Sequence, residues 1–472
     1  MNCLRSRVCT PDQRSPRLPN RRWLCGALPQ LCAIGWLAIS LLYARSTGAA
    51  EPQEPSRAVL RTVLRQMASS KPERREEAVA KLEQYKTAPA ARMLVERGLT
   101  SPFEDVRHGS YRTLLADTES EEVCDVLIDH AQKALRKGTA DWSTCGIVAV
   151  LLDSKLEPVE EAVNELLDKA ARQGGVGWEL LVNVADELGM EGDDRCVKSL
   201  VKLSEQPLFD GFFGARRAIV QALTRIERPE AIDALLPILR RAKGEVRLDI
   251  GRYLTALSGK QHGVDAARWE SWWKDNRDKF TSRALRPAPV YGPLYAAAPS
   301  RYYGLPIYGQ RVVFVLDTSG SMSGLRLAAA QAELLQAIAS LPADVSFNVL
   351  SFNQGVFPWR AQLAPASPAN KAEAAAFVMA QHALGATWSY DALDAALSFD
   401  VESIYFLTDG EPCGGTISNP VAIIGALTQQ NHARRVTINC IGVDVGPAGG
   451  VFDAFLRTLS LSNYGDYRRA GG

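Results

Sequence analysis

The sequence predicts a multidomain chain, an all-α helical repeat array followed by an α/β domain with a doubly wound, mostly parallel sheet. Three observations carry this. From about Pro55 to Phe280 apolar residues recur with helical period and almost no strand signal. From Ala284 to Gln310 prolines and tyrosines alternate and break any regular element. From Arg311 onward short apolar runs alternate with helical stretches, as a parallel sheet with helices on both faces requires.

At 472 residues the chain has room for two or three domains and a sizeable core. Its 54 Lys and Arg nearly balance 53 Asp and Glu, so no global field calls for nucleic acid or an anionic membrane.

Residues 1–50 read as an address. Arg5, Arg7, Arg14, Arg17, Arg21 and Arg22 precede an apolar run from Leu31 to Tyr43, and Gly48-Ala49-Ala50 follows. That order is a secretory signal peptide with cleavage near Ala50. An uncleaved anchor is the alternative, because Trp23 to Ala44 is nearly long enough to span a bilayer. Pro29 and Gln30 interrupt that span and favour cleavage. In either case the remainder is expected to be exported, to a periplasm, envelope or exterior, with membrane contact only through this segment.

Cys124, Cys145, Cys196, Cys413 and Cys440 remain after cleavage. The number is odd and no spacing is CxxC, so neither a disulfide framework nor a zinc site is indicated. Cys413 lies past a strand end and Cys440 inside the next strand, an offset of ~20 Å that no disulfide bridges.

Within residues 55–280, helical units begin near Pro72, Phe103, Trp142, Trp178, Ala215 and Glu245. The clearest has Ile219, Ala222, Leu223 and Ile226 on one face, Pro229 as punctuation, and Ala231, Ile232, Leu235, Leu236 and Leu239 on a second helix. Asp105-Val106-Arg107 and Glu245-Val246-Arg247, each opening a helix, are similar to the start of HEAT-type repeats. The units are shorter than the ~40–47 residues usual there. A non-repetitive bundle is the alternative, but helical pairs of this kind bury their faces by stacking. Trp269, Trp272 and Trp273 share one helix face, and that spacing predicts packing at the end of the array rather than a ligand site.

Pro287, Pro289, Pro293, Pro299 and Pro306 are interleaved with Tyr291, Tyr295, Tyr302, Tyr303 and Tyr308. Residues 281–310 are therefore expected to be a stiff, partly extended linker.

Residues 311–472 form the α/β domain, ~160 residues being an ordinary domain size. Val312 to Leu316 is an apolar run suited to a strand buried on both faces. Val345 to Phe352, Ile404 to Leu407 and Val436 to Val443 are further strands; Lys371 to Leu384, Val421 to Gln430 and Phe452 to Leu461 are helices. The first run stops at Asp317, and Leu327, Leu334, Ile338 and Leu341 then recur at helical spacing. Asp317, Ser319 and Ser321 therefore sit at a strand-to-helix corner, at the edge where doubly wound sheets bind ligands. One carboxylate and two hydroxyls form a hard-oxygen cluster suited to Mg²⁺ or Mn²⁺. The alternative is a helix N-terminus capped by serines.

Asp317-Thr-Ser319-Gly-Ser321 after an apolar strand resembles the metal-ion-dependent adhesion site of the von Willebrand factor A family. Gly385-Ala-Thr387-Trp-Ser-Tyr-Asp resembles that family's threonine loop, and Ile404-Tyr-Phe-Leu-Thr-Asp409-Gly410 its second strand-end aspartate. The resemblance implies a metal set of Asp317, Ser319, Ser321, Thr387 and Asp409, with Gly320 easing the corner. Trp388 stands where many relatives carry a small or polar residue and is expected at the edge of the site, beside a partner's carboxylate.

Enzyme classes are disfavoured. The Asp-Thr of an aspartic protease is broken by Ser319, no Gly-x-Ser-x-Gly elbow or phosphate loop is present, and no histidine or spare base stands beside the cluster. The expectation is an exported, non-enzymatic protein that binds a protein partner through a divalent metal and an Asp or Glu of that partner. The array is a second docking surface or spacer. A structural scaffold, or a metal-dependent hydrolase, is the alternative.

Overall fold

The computed structural model describes residues 53–139, 141–280 and 300–471. The expected signal or anchor, and most of the expected linker, lie outside the described residues.

The first part is helical throughout. In order it comprises α1 (Arg57–Met67), α2 (Pro72–Glu83), α3 (Ala88–Met93), α4 (Glu104–Ala116), α5 (Glu121–Lys137), α6 (Trp142–Leu152) and α7 (Glu157–Gln173). Then follow α8 (Val176–Glu191), α9 (Asp194–Glu205), α10 (Pro207–Gly211), α11 (Phe213–Arg225), α12 (Pro229–Arg241), α13 (Gly244–Ser258) and α14 (Ala266–Asn276). Local chemistry sets many starts. Ser56, Ser120, Asp141, Asp193 and Asp265 each accept a first-turn N–H, and α2, α7 and α12 carry proline in the first turn. The six unit starts read from sequence fall on α2, α4, α6, α8, α11 and α13, each within about two residues.

Those six helices form one row in which each packs on the next, while α3, α5 and α7, then α9, α12 and α14, continue a second row. Their apolar faces merge into one core running from Val63 through Leu114, Leu166 and Leu223 to Leu254. Trp269 and Trp273 are buried in its last layer, their indole N–H groups donating to Gly263 O and Asp233 Oδ1. The triad is packing, as its spacing predicts.

The second part begins earlier than expected. Residues 300–307, assigned from sequence to the linker, form an antiparallel hairpin of β1 (Ser300–Tyr302) and β2 (Leu305–Ile307). Tyr302 is buried edge-on to Phe314 and Tyr405, and the Tyr405 hydroxyl donates to Pro306 O. Proline is tolerated because the hairpin has only two strands and Pro306 needs no donor there.

The remaining elements are β3 (Arg311–Asp317), α15 (Leu325–Ser340), β4 (Ser346–Phe352), β5 (Val356–Pro358), β6 (Ala364–Pro365) and α16 (Pro368–Met379). They continue with α17 (Ser389–Leu397), β7 (Ser403–Thr408), α18 (Pro420–Asn431), β8 (Thr437–Val443), α19 (Val451–Ser462) and β9 (Tyr467–Ala470). The sheet order is β5-β4-β3-β7-β8-β9, with β6 also on β4. β3, β4, β7, β8 and β9 are parallel, and only the short β5 and β6 run against them. The apolar run of β3 conceals a period of two. Val312, Phe314 and Leu316 face α15 and α16, while Val313 and Val315 face α17, α18 and α19. Full burial of one such side chain stabilises by about 1.5–3 kcal/mol.

Residues 54–472 form one compact unit because the array docks on its own sheet. The contact falls at the amino ends of the strands. Arg217 of α11, 1% exposed, donates to both oxygens of Asp249 at 2.7 and 3.0 Å, to Arg435 O at 2.8 Å and to Thr437 Oγ1 at 2.7 Å. Arg435 reaches back to Gln221 and Asp186, Arg252 donates to Asp466, and Arg216 to Glu402. Arg435 and Tyr464 adopt left-handed backbone at φ 56 and 60°, a strained conformation that this contact holds in place. One face of the array, expected to be open for docking, is thus used within the chain.

Glu245 of α13 is buried in this interface, with Thr437 Oγ1 donating to it at 3.4 Å. Burial pushes its carboxyl up from 4.5 to about 7, with Arg217 and Arg252 pulling down and Asp249 and Glu402 pushing up. The folded chain therefore keeps a proton that the unfolded chain loses, and Glu245 costs stability as pH rises from 4.5 through about 7. Glu245→Gln should be the more stable protein at about pH 8, by up to about 3 kcal/mol, and close to wild type near pH 5. Unfolding midpoints across that range check this. Parallel pH profiles for the two proteins would contradict it.

Candidate functional site

The site lies at the opposite, carboxyl edge of the sheet, where β3 and β7 end side by side. Asp317 closes β3 and is fully buried. Its Oδ1 accepts the Ser319 N–H at 2.7 Å, and its Oδ2 accepts the Thr408 hydroxyl at 2.5 Å. Burial pushes the Asp317 carboxyl up to about 6 against those hydrogen bonds, which lower it, and Asp409 raises it further.

The chain then turns through a single 3₁₀ turn, Gly320–Met322, into α15. Ser319 precedes that turn without capping it, and no side chain caps α15. The hydroxyls face each other instead. Ser319 Oγ lies 3.0 Å from Ser321 Oγ, and Ser321 Oγ donates to Asp409 Oδ1 at 2.7 Å. The structure thus removes the capping alternative and joins Ser319, Ser321 and Asp409 directly, with Asp317 tied to Ser319 through its backbone. Gly320 does not carry the expected corner conformation. The left-handed residue is Gly324, at φ 78°.

Thr387 sits on a loop laced to this corner. Leu384 N donates to Thr318 O at 2.9 Å and Gly320 N to Gly385 O at 3.0 Å. Thr387 itself is buried, its backbone bridged to Cys413, whose N–H donates to Thr387 O at 3.0 Å. Cys413 is exposed and Cys440 buried, and all five described cysteines are free. Trp388 follows Thr387 on this loop. It is half-buried against Gly414 and Gly415, where a Cβ on Gly414 would come within 2.7 Å of the indole nitrogen.

Two partners of the site were not singled out from sequence. Thr408 is one. The other is Arg326, whose Nη1 donates to Asp409 Oδ2 at 3.1 Å and to Ser321 O at 3.0 Å. Its only local signal is a basic residue in a helix's first turn, where the macrodipole disfavours it.

Exposed large apolar side chains gather around this edge. Of nine among the described residues, Leu325, Met379, Leu384, Val421 and Val451 belong to helix ends or loops at the carboxyl edge and Phe357 to the short strand β5 there; Leu64 and Met190 lie on the array and Leu461 at the opposite end. The donor set is entirely oxygen, the chemistry that fits Mg²⁺ or Mn²⁺ rather than a softer metal.

A mostly parallel sheet with this strand-end cluster defines a class, and the comparisons name it. Residues 310–467 match the von Willebrand factor type A domain. Human inter-alpha-trypsin inhibitor heavy chain H4 is 33% identical over 184 residues, 35% of this chain and 19% of that one. Heavy chain H3 of Mesocricetus auratus is 31% identical over 179 residues, 35% of this chain and 20% of that one. This chain therefore spans about a fifth of the length of these relatives. A solved von Willebrand factor type A structure from Catenulispora acidiphila aligns with TM-score 0.30 and 23% identity, over 34% of this chain and 38% of that one. Residues 310–467 are thus a von Willebrand factor type A domain, and the helical part lies outside that match.

The turn against Trp388 depends on Gly415, at φ 77°, where a Cβ would lie 2.1 Å from Asp391 Oδ2. Asp391 accepts from Thr416 N and Oγ1, so the added atom would break that clasp. Gly415→Ala should cost about 1–3 kcal/mol. Gly425→Ala, in the interior of α18 with nothing within 4 Å, should instead stabilise by about 0.5–1 kcal/mol. Thermal unfolding of the two variants decides it, and a shift of the same sign in both would refute the geometry.

Proposed function

We propose that the protein is a non-enzymatic, exported binding protein whose von Willebrand factor type A domain holds one Mg²⁺ or Mn²⁺ and engages a protein partner through it. The observation that carries this is the hydroxyl chain from Ser319 through Ser321 to Asp409, set beside buried Asp317 and turned away from any helix cap. Asp317, Ser319, Ser321, Thr387 and Asp409 would hold the ion, directly or through water. Bound there, the metal would supply an electrophilic point for an incoming oxygen ligand. Mg²⁺ takes six oxygen ligands, so five side chains leave a position for one from outside, and a partner's Asp or Glu, a hard-oxygen donor, is the proposed ligand.

Two features support a protein partner. Six of the nine large apolar side chains exposed among the described residues lie at the carboxyl edge, which suits a protein surface. The domain is shared with relatives that include human inter-alpha-trypsin inhibitor heavy chain H4. Binding is favoured over hydrolysis because the side chains bonded to the cluster, Thr408 and Arg326, supply no general base. The array, which we read as HEAT-like, closes the amino edge of the sheet and keeps its far helices for a second contact. Among the described residues no helix is long and apolar enough to cross a membrane.

The proposal is tested by calorimetry with Mg²⁺ on the wild type, Asp317→Ala and Thr387→Ala, followed by a pulldown with Mg²⁺ and with EDTA. Wild type should bind one ion at roughly mid-micromolar affinity or weaker, and Asp317→Ala should bind none. Thr387→Ala should lose at least threefold in affinity with little change in unfolding midpoint. Equal metal uptake by wild type and Asp317→Ala would sink the site, and partner capture indifferent to EDTA would sink its role.

A further inference from the structure

Arg326 is held by two carboxylates on two different strands' ends. Its Nη1 donates to Asp409 Oδ2 at 3.1 Å, and its Nε donates to Asp444 Oδ2 at 3.1 Å. The two acceptors differ in kind. The Asp409 side chain is 1% exposed and belongs to the proposed metal set, whereas Asp444 is 43% exposed and follows β8. The guanidinium, also 43% exposed, thus bridges an inner and an outer carboxylate.

We infer that Arg326 is a displaceable internal cation that sets the affinity of this site for divalent metal. Without metal it neutralises Asp409, and when metal enters it lets go of Asp409 and stays on Asp444. The inference rests on the metal reading above. Its physical basis is competition. Two cations drawn to one carboxylate repel each other, most strongly where the carboxylate is screened from water. A guanidinium is always charged, so it cannot relieve the repulsion by losing a proton. It can only move. The two ion pairs use different nitrogens, so the outer pair survives when the inner one breaks. Asp444 therefore lowers the cost of displacement, and without it the guanidinium falls back on Asp409.

The first turn of α15 is an unfavourable place for a cation, because the N-terminal N–H groups carry partial positive charge. That cost is offset while both carboxylates accept from Arg326. Part of it returns when metal takes Asp409, which adds to the work the metal must do.

The test is calorimetric titration of the full chain with Mg²⁺ alone and Mn²⁺ alone, with unfolding midpoints measured alongside. Arg326→Gln should bind either ion roughly tenfold more tightly than wild type, or about 1.4 kcal/mol. Asp444→Asn should bind roughly threefold to tenfold more weakly. The double variant separates the bridge from a simple field effect. If Asp444 acts through Arg326, Asp444→Asn should change little once Arg326→Gln is present, and the couplings should fail to add. Equal weakening by Asp444→Asn in both backgrounds would overturn the inference, as would unchanged or weaker binding by Arg326→Gln. Should Arg326→Gln fail to fold, unchanged affinity in Asp444→Asn alone would overturn it. Failure of wild type to bind either ion would remove the metal reading and this inference together. Metal uptake by wild type that Asp317→Ala abolishes, with Arg326→Gln unchanged, removes this inference alone.

Discussion

A carboxylate buried at the end of a central strand is the constraint around which the C-terminal half is arranged. Asp317 lies where β3 leaves its pairing with β4 and β7, out of reach of water. An isolated charge there would cost several kcal/mol, so its surroundings must supply donors. The next residues provide one from Ser319 N, and the neighbouring strand provides another from Thr408. Both depend on the parallel register, because β3 and β7 must end together for Thr408 to reach Asp317. Among the described residues no basic side chain pairs with Asp317, and its carboxyl remains pushed up to about 6. Arg326, on the helix that follows, pairs with Asp409 instead.

The two edges of the sheet carry opposite solutions to the same problem. At the amino edge the array covers the strand starts, and buried polar groups pair across the contact through Arg217 and Arg435. Such pairs contribute little net stability compared with apolar packing. They demand particular partners, however, which fixes how α11 and α13 sit against β8. At the carboxyl edge, among the described residues, no helix of the array covers the strand ends; Ser321 and several apolar side chains are exposed there, above the buried Asp317, Ser319, Thr387 and Asp409. The array thereby leaves the carboxyl end of the domain uncovered.

What was legible in the sequence was local. The apolar run of β3, the helical unit starts and the strand-to-helix corner follow from spacing over a few residues. The site set followed from a motif whose members lie far apart, and the structure joins four of them while placing Thr387 on a loop tied to the same corner. What escaped notice was long-range or polar. Strand β9 reads Tyr-Arg-Arg-Ala and shows no apolar period, since it pairs along one edge only. The hairpin over Ser300–Ile307 was hidden by prolines that a two-stranded ribbon accepts. Arg217 and Thr437 are 220 residues apart, and no local pattern announces their contact. Nothing in the neighbourhood of Trp388 in the sequence shows that Gly414 and Gly415 pack against it.

Charge counting links Arg326 to the proposed metal. Asp317, Asp409 and Asp444 contribute three negative charges around the corner, and Arg326 returns one positive charge. Two negative charges remain, the amount that one divalent ion balances. Arg326 alone cannot serve both ends of the cluster, because its reach joins Asp409 to Asp444 and leaves Asp317 to neutral donors. Asp317, Asp409 and the serines would hold a single ion, which would compete with Arg326 for Asp409. The same arithmetic explains why the basic residue at this corner is an arginine. A forked guanidinium can hold two carboxylates through separate nitrogens and give up one without losing the other, whereas a lysine ammonium would have to bridge both from a single nitrogen.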